Sequence, residues 1–305
     1  MKAMKLVALM VALLAPFPLV GAVSSQDAPP GPTVPFQGSY PITVEAGEYD
    51  LIYLVLDFAP GSAIPFHFHG GPAMVVGMEG ELTLIPEGQP EKKLRPTDVV
   101  NEKMGAKHEM LNVSSANARI SAAILLPRGA ELTTVLQPDD TRPGPTVPFI
   151  GTYPITTAAG EYDLVNLVLD FGPGAEIPTH YHGGPAVVVG MSGELTLRPQ
   201  GAAEKKLGPT DVVNEKQGAV HEMVNVSSAP AVILAGVLLP KGADLTTLVQ
   251  MPESHTSGHG STEAGMPRTG VDNGSLLVLV IAGGIVLMVL GAAALRARTS
   301  IDRRS

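Results

Sequence analysis

Between positions 31 and 250 the apolar residues come in short runs, rich in Val, Ile, Leu and Thr and cut by Gly and Pro. The runs at Leu51–Phe58, Ala73–Met78, Glu81–Ile85, Asp98–Asn101, His108–Val113 and Ile120–Leu126 read as strands. None keeps an i, i+3, i+4 apolar spacing over eleven residues. The pattern therefore predicts an all-β sandwich or barrel of short strands joined by turns. Leu51–Leu56 is apolar at nearly every position, as in a strand covered on both faces.

The pattern changes at both ends. Lys2 and Lys5 precede an apolar stretch from Leu6 to Ala15, followed by Pro16, Pro18 and small residues, so residues 1–24 read as a secretory signal peptide. Leu276 to Leu295 carries no charge over twenty residues. As a helix it would be about 30 Å long, enough to span a hydrocarbon core. Arg296, Arg298, Arg303 and Arg304 follow, and the positive-inside rule assigns this 296–305 tail to the cytoplasm. Residues 251–275, rich in Ser, Gly, Thr and Pro, read as a flexible stalk. The expected localisation is the cell membrane or cell surface, single-pass, with the N-terminal domains outside. Met266-Pro267-Arg268-Thr269-Gly270, followed by an apolar span and an Arg tail, resembles the sorting signal that sortases cleave, with Met266 where Leu is usual. That resemblance implies attachment to the cell wall.

The middle is one unit written twice. Gly31–Gln137 aligns without a gap on Gly144–Gln250 at an offset of 113, and 77 of 107 positions are identical. A period that long is a whole domain rather than a solenoid turn, so two domains are expected, at 31–137 and 144–250. The absence of cysteine removes disulfides, thiolate metal sites and cysteine nucleophiles. The net charge of −9 conceals a steeper local balance. Residues 25–275 hold 14 Lys+Arg and 28 Asp+Glu, a charge of −14, which repels a phosphate backbone and argues against nucleic acid as a partner.

Histidine is scarce and placed. His67 and His69 sit at i and i+2, on one face of an extended strand, and His108 lies about forty residues on. His180, His182 and His221 repeat the set, leaving His255 and His259 in the stalk. Three imidazoles so spaced can hold one metal ion.

Gly61-x5-His67-x-His69 and Gly105-x2-His108-x3-Asn112, with Gly174, His180, His182, Gly218, His221 and Asn225 in the second copy, resemble the two motifs of the cupin superfamily. Gly80-Glu81-Leu82 and Asp98 fit the same pattern, although Thr97 and Thr210 replace its usual Gly. The resemblance implies two tandem cupin-type jelly-roll β-barrels, a bicupin, with the histidines in each barrel mouth. The family's first motif normally adds a glutamate three or four residues after the second His. Ala73, Met74, Ala186 and Val187 occupy those places, and strand alternation turns Glu109 and Glu222 to the opposite face. The implied site is thus three neutral imidazoles per barrel holding a divalent ion. Fe, Zn, Ni or Cu is favoured over Mn, and a small polar or anionic ligand is expected.

The expected function is a surface-anchored extracytoplasmic bicupin, a metal-dependent oxygenase or isomerase on a small polar substrate. The alternatives are a non-catalytic metal- or small-ligand-binding module and a purely structural surface protein. No general base stands out, so catalytic residues are not assigned and the ion would carry the chemistry. The copies differ near the His segments at Phe66/Thr179, Phe68/Tyr181, Tyr53/Asn166, Met104/Gln217 and Lys107/Val220, which predicts a more aromatic and cationic first site and a more polar second one.

Overall fold

The computed structural model describes residues 29–249. The predicted signal peptide, stalk, membrane helix, basic tail and Met266–Gly270 segment lie outside the described residues. Among the described residues no helix is long and apolar enough to cross a membrane.

The described chain is all strand and turn. The first repeat contains β1 (Thr33–Val44), β2 (Gly47–Phe58), β3 (Ala63–His69), β4 (Ala73–Glu79), β5 (Leu82–Pro86), β6 (Lys92–Leu94), β7 (Val99–Glu102), β8 (His108–Leu111), β9 (Ala118–Pro127) and β10 (Thr133–Val135). The second follows as β11 (Thr146–Thr157), β12 (Gly160–Phe171), β13 (Glu176–Tyr181), β14 (Ala186–Ser192), β15 (Leu195–Pro199), β16 (Lys205–Leu207), β17 (Val212–Glu215), β18 (His221–Val224), β19 (Ala231–Pro240) and β20 (Thr247–Leu248). As expected, they build two tandem jelly-roll barrels of two five-stranded sheets each.

The first strand of each repeat belongs to the other repeat's barrel. The first barrel combines the sheet β11-β2-β9-β4-β7 with β10-β3-β8-β5-β6. The second combines β1-β12-β19-β14-β17 with β16-β15-β18-β13-β20. β1 runs antiparallel to β12 from Phe36↔Val168 to Val44↔Gly160. β11 runs against β2 from Phe149↔Val55 to Thr157↔Gly47. The boundaries 31–137 and 144–250 thus delimit units of sequence, while each barrel in space draws its edge strand from across the joint. Pro41 and Pro154 lack an N–H and are tolerated because β1 and β11 are edge strands.

This exchange clamps the barrels face to face over a shared core. Along β2, Ile52 and Leu54 point into the first barrel, whereas Leu51, Tyr53 and Val55 point into the layer between barrels. That alternation explains why Leu51–Leu56 is apolar throughout. Leu164, Val187, Val189, Leu234 and Leu238 meet them from the second repeat, joined by Ile42 and Phe149 of the exchanged strands. Each side chain fully buried there contributes about 1.5–3 kcal/mol, so the layer is a core in its own right.

The layer is not symmetric. Tyr53 and Asn166 occupy equivalent positions, and the Tyr53 hydroxyl donates to Asn166 Oδ1 at 2.7 Å. The Asn166 amide in turn donates to Ser121 Oγ at 3.3 Å. Both residues are fully buried. Gly236, the counterpart of Ala123, makes room for the Tyr53 ring: a Cβ there would lie 2.8 Å from Tyr53 Cδ2. Gly236→Ala should therefore destabilise the protein by about 1–3 kcal/mol, seen as a lowered Tm, whereas Ala123→Gly on the other side should cost about 1 kcal/mol or less.

Candidate metal centre

Two strands bring the histidines of the first repeat together. His67 and His69 lie at the end of β3, and His108 opens β8, where it pairs with His67 after a bulge. Their ring centroids are 4.3–5.4 Å apart, and one nitrogen from each ring lies within 4.8 Å of the others. His180, His182 and His221 converge in the same way on β13 and β18. All six expected histidines are thus gathered into two groups able to hold an ion.

Backbone carbonyls fix which nitrogen faces inward. His67 Nδ1 donates to the Pro65 carbonyl at 2.7 Å, His69 Nδ1 to Leu132 at 2.9 Å and His108 Nδ1 to Ala106 at 3.1 Å. The second repeat repeats these contacts at Pro178, Leu245 and Ala219. A carbonyl can only accept, so each Nδ1 carries its proton and a neutral ring presents the bare lone pair of Nε2. Burial and the neighbouring imidazoles pull His67 down to about 3 and His180 to about 4, which keeps these two rings neutral.

A carboxylate completes each group, contrary to the sequence expectation. Glu102, at the end of β7, is buried with Oε2 3.3 Å from His69 Nε2 and Oε1 3.2 Å from His108 Nε2. Glu215 stands at 3.2 and 3.3 Å from His182 and His221. The expectation failed because it looked along one strand. Ala73, where the glutamate was sought, is the cross-strand partner of Glu102, and Ala186 is that of Glu215. The carboxylate arrives from the adjacent strand at the same height. The strand reading at Asp98–Asn101 stopped one residue short of it. Strand alternation was the missed signal, since Glu102 shares the inward face of Val100. Glu109 and Glu222 do face away, toward Arg142 and Arg198.

The donor set demands a cation. Both oxygens of Glu102 and Glu215, and Nε2 of His108 and His221, are buried and make no hydrogen bond. Lone pairs facing a carboxylate in a dry site repel unless a proton or a metal sits between them. Burial pushes the Glu102 carboxyl up to about 8. At Glu215 burial is outweighed by the contact with His182, which holds that carboxyl below its ordinary value and His182 above its own. A divalent cation set between these groups would compete with a proton for the same lone pairs. Three imidazole nitrogens and a carboxylate oxygen suit such an ion, and the carboxylate removes the reason for ranking Mn last.

The cupin-domain family model matches residues 54–125 and 167–237. The chain's two repeats are tandem cupin domains. Solved structures of similar fold include the vicilin from Solanum melongena, at 12% identity over 65% of this chain and 76% of that one, with a TM-score of 0.50. The 7S globulin of Momordica charantia is another, at 10% identity over 72% and 85%, with a TM-score of 0.51. The oxalate decarboxylase of Lactobacillus farciminis reaches 14% identity over 70% and 90%, with a TM-score of 0.46. No curated protein matches the chain in sequence.

The first cupin site opens on a cavity between its barrel's two sheets. It measures about 230 Å³, and its walls are apolar apart from the three histidines, Glu102 and Thr133. Leu54, Val75 and Ile124 line it from the repeat's own strands, while Val147 and Ile150 come from the exchanged β11. The positions expected to differentiate the sites stay out of it. Tyr53 belongs to the layer between barrels, Met104 and Lys107 are exposed, and neither Phe66 nor Phe68 lines the cavity.

A tight turn sets the height of Glu102. Asp98 N–H donates to the Arg95 carbonyl and Gly77 N–H to the Asp98 carbonyl, at 2.9 and 3.0 Å, which fixes the register that ends in Ala73↔Glu102. Thr97 occupies this turn with a φ of 71° and Thr210 its counterpart with 69°, where cupins usually place Gly. A left-handed conformation costs a residue with a Cβ about 1–2 kcal/mol. Thr97→Gly should accordingly raise stability by up to about 1 kcal/mol in a denaturant titration, net of the entropy glycine loses on folding. Glu102→Gln offers a test with opposite signs. In metal-free protein it should raise Tm by removing an unpaired buried carboxyl, whereas equilibrium dialysis should find metal affinity in the first barrel at least about 10–100-fold weaker.

Proposed function

We propose that the protein is a surface-anchored, extracytoplasmic bicupin in which each barrel holds a catalytic divalent ion and acts as an oxygenase or isomerase on a small molecule. His67, His69, His108 and Glu102 would hold the first ion, and His180, His182, His221 and Glu215 the second. One observation carries this reading: each site aims a buried, unpaired carboxylate at imidazoles whose outer nitrogens are already committed to the backbone. Mn joins Fe, Zn, Ni and Cu as a candidate. The bound ion supplies Lewis acidity or redox chemistry.

The protein's own groups would bind, orient and shield. Apart from the ligands, Thr133 is the one polar side chain lining the first cavity, and its hydroxyl lies 3.2 Å from His69 Nδ1, so it steadies a ligand rather than acting as a base. The expected small polar or anionic ligand applies to the group that meets the ion. Walls of Leu54, Val75, Ile120 and Ile124 call for an apolar remainder and exclude water around it. A cavity of 150 Å³ accepts benzene, so about 230 Å³ suits a body the size of a substituted six-membered ring. Export and anchoring rest on the charged and apolar ends of the sequence, with the wall as a partner if the Met266–Gly270 segment is processed.

Metal analysis of the natively expressed full chain tests the reading. One divalent ion per barrel is expected, lost on His67→Ala plus His180→Ala. A protein that is empty as purified and stays so after dialysis against these metals would overturn it. An ion-loaded protein that holds small carboxylates without converting any oxygen- or isomerase-type substrate would favour a non-catalytic binding module.

A further inference from the structure

We infer that the two sites take different ligands, and that one residue on each exchanged strand, Ile150 at the first site and Gln37 at the second, sets the difference. This rests on the metal-loaded reading above. Of the 18 residues lining the first cavity, 16 have an identical counterpart at the second site, reading strand β1 as the counterpart of β11. The exceptions are Ile124, which becomes Val237, and Ile150, which becomes Gln37. The first exchange removes a methylene. The second replaces an apolar side chain by an amide that donates and accepts hydrogen bonds.

The register shows where each residue works. Ile150 pairs with Leu54, a lining residue of the first barrel. Gln37 pairs with Leu167, the equivalent residue of the second barrel. Directly opposed residues of an antiparallel pair share a face, so Gln37 stands on the inward face of the second barrel's sheet, although it belongs to the first repeat. Ile150 is half exposed at 51%, which puts it at the rim of the first cavity rather than beside the ion, and Gln37 is exposed at the equivalent position of the second barrel. A ligand bound to the metal through its oxygen end would present its far end to this position. The first site should therefore select an apolar far end, and the second should accept one that carries a hydroxyl or amide.

Two probes of equal length separate these cases: hexanoate and 6-hydroxyhexanoate, titrated into the Co(II)-loaded full chain and followed by the cobalt visible spectrum. His180→Ala/His182→Ala isolates the first site and His67→Ala/His69→Ala the second, with His221→Ala and His108→Ala as single-substitution substitutes should a pair impair folding. The first site should prefer hexanoate by roughly 10-fold, and the second should lose or reverse that preference. Ile150→Gln should give the first site the second's behaviour, and Gln37→Ile should do the converse. Equal preferences at the two sites, indifference to both substitutions, or binding of neither probe would overturn the inference while leaving the metal sites standing. Failure to bind Co(II) at all would overturn both.

Discussion

The structure depends on a confrontation of electron pairs. In each barrel three imidazoles spend their only N–H on backbone carbonyls, leaving three lone pairs and a carboxylate aimed at one dry point. Without a positive charge this arrangement costs stability, because buried acceptors facing one another have lost water and gained nothing. With a divalent ion the same groups become a ligand set, and burial strengthens the attraction. The histidines come from one sheet and the glutamate from the sheet facing it, so an ion would also tie the two layers of each barrel together.

The strand exchange places a second constraint on the same sites. Because β11 closes the first barrel and β1 the second, neither repeat contains all the strands of its own barrel, and the first cavity takes part of its wall from β11. The layer between barrels reinforces the dependence through an unequal pair, Tyr53 filling the space over Gly236 and bonding to Asn166. Two equal tyrosines or two equal asparagines at this position would crowd the layer or leave it loose. The repeats have thus diverged where they meet as well as on the exchanged strands, at Gln37 and Ile150, and the pair forms one structural unit.

Much of this was legible in the sequence, for identifiable reasons. The doubly covered run of β2 announces itself because both faces bury apolar side chains, and the six histidines stand out because the chain uses so few elsewhere. β1 and β11 were missed because an edge strand with one exposed face and internal prolines carries little hydrophobic signal. Glu102 was missed because its relation to the histidines runs across strands: twenty-nine residues separate it from Ala73 in sequence, yet the two are cross-strand partners. Tyr53 and Asn166 were read as possible site residues because the neighbouring layer cannot be seen in one repeat. Spacing reports neighbours along a strand, while the cross-strand register that decides the metal site emerges only in the folded sheet.

A crystal structure of the metal-loaded full chain, with anomalous scattering recorded at the metal edge, bears most directly on the central claim. One peak is expected in each barrel, about 2.0–2.2 Å from the three Nε2 atoms and from an oxygen of Glu102 or Glu215. Peaks held by the histidines alone, with both glutamates turned away, or no peak between the sheets, would contradict it.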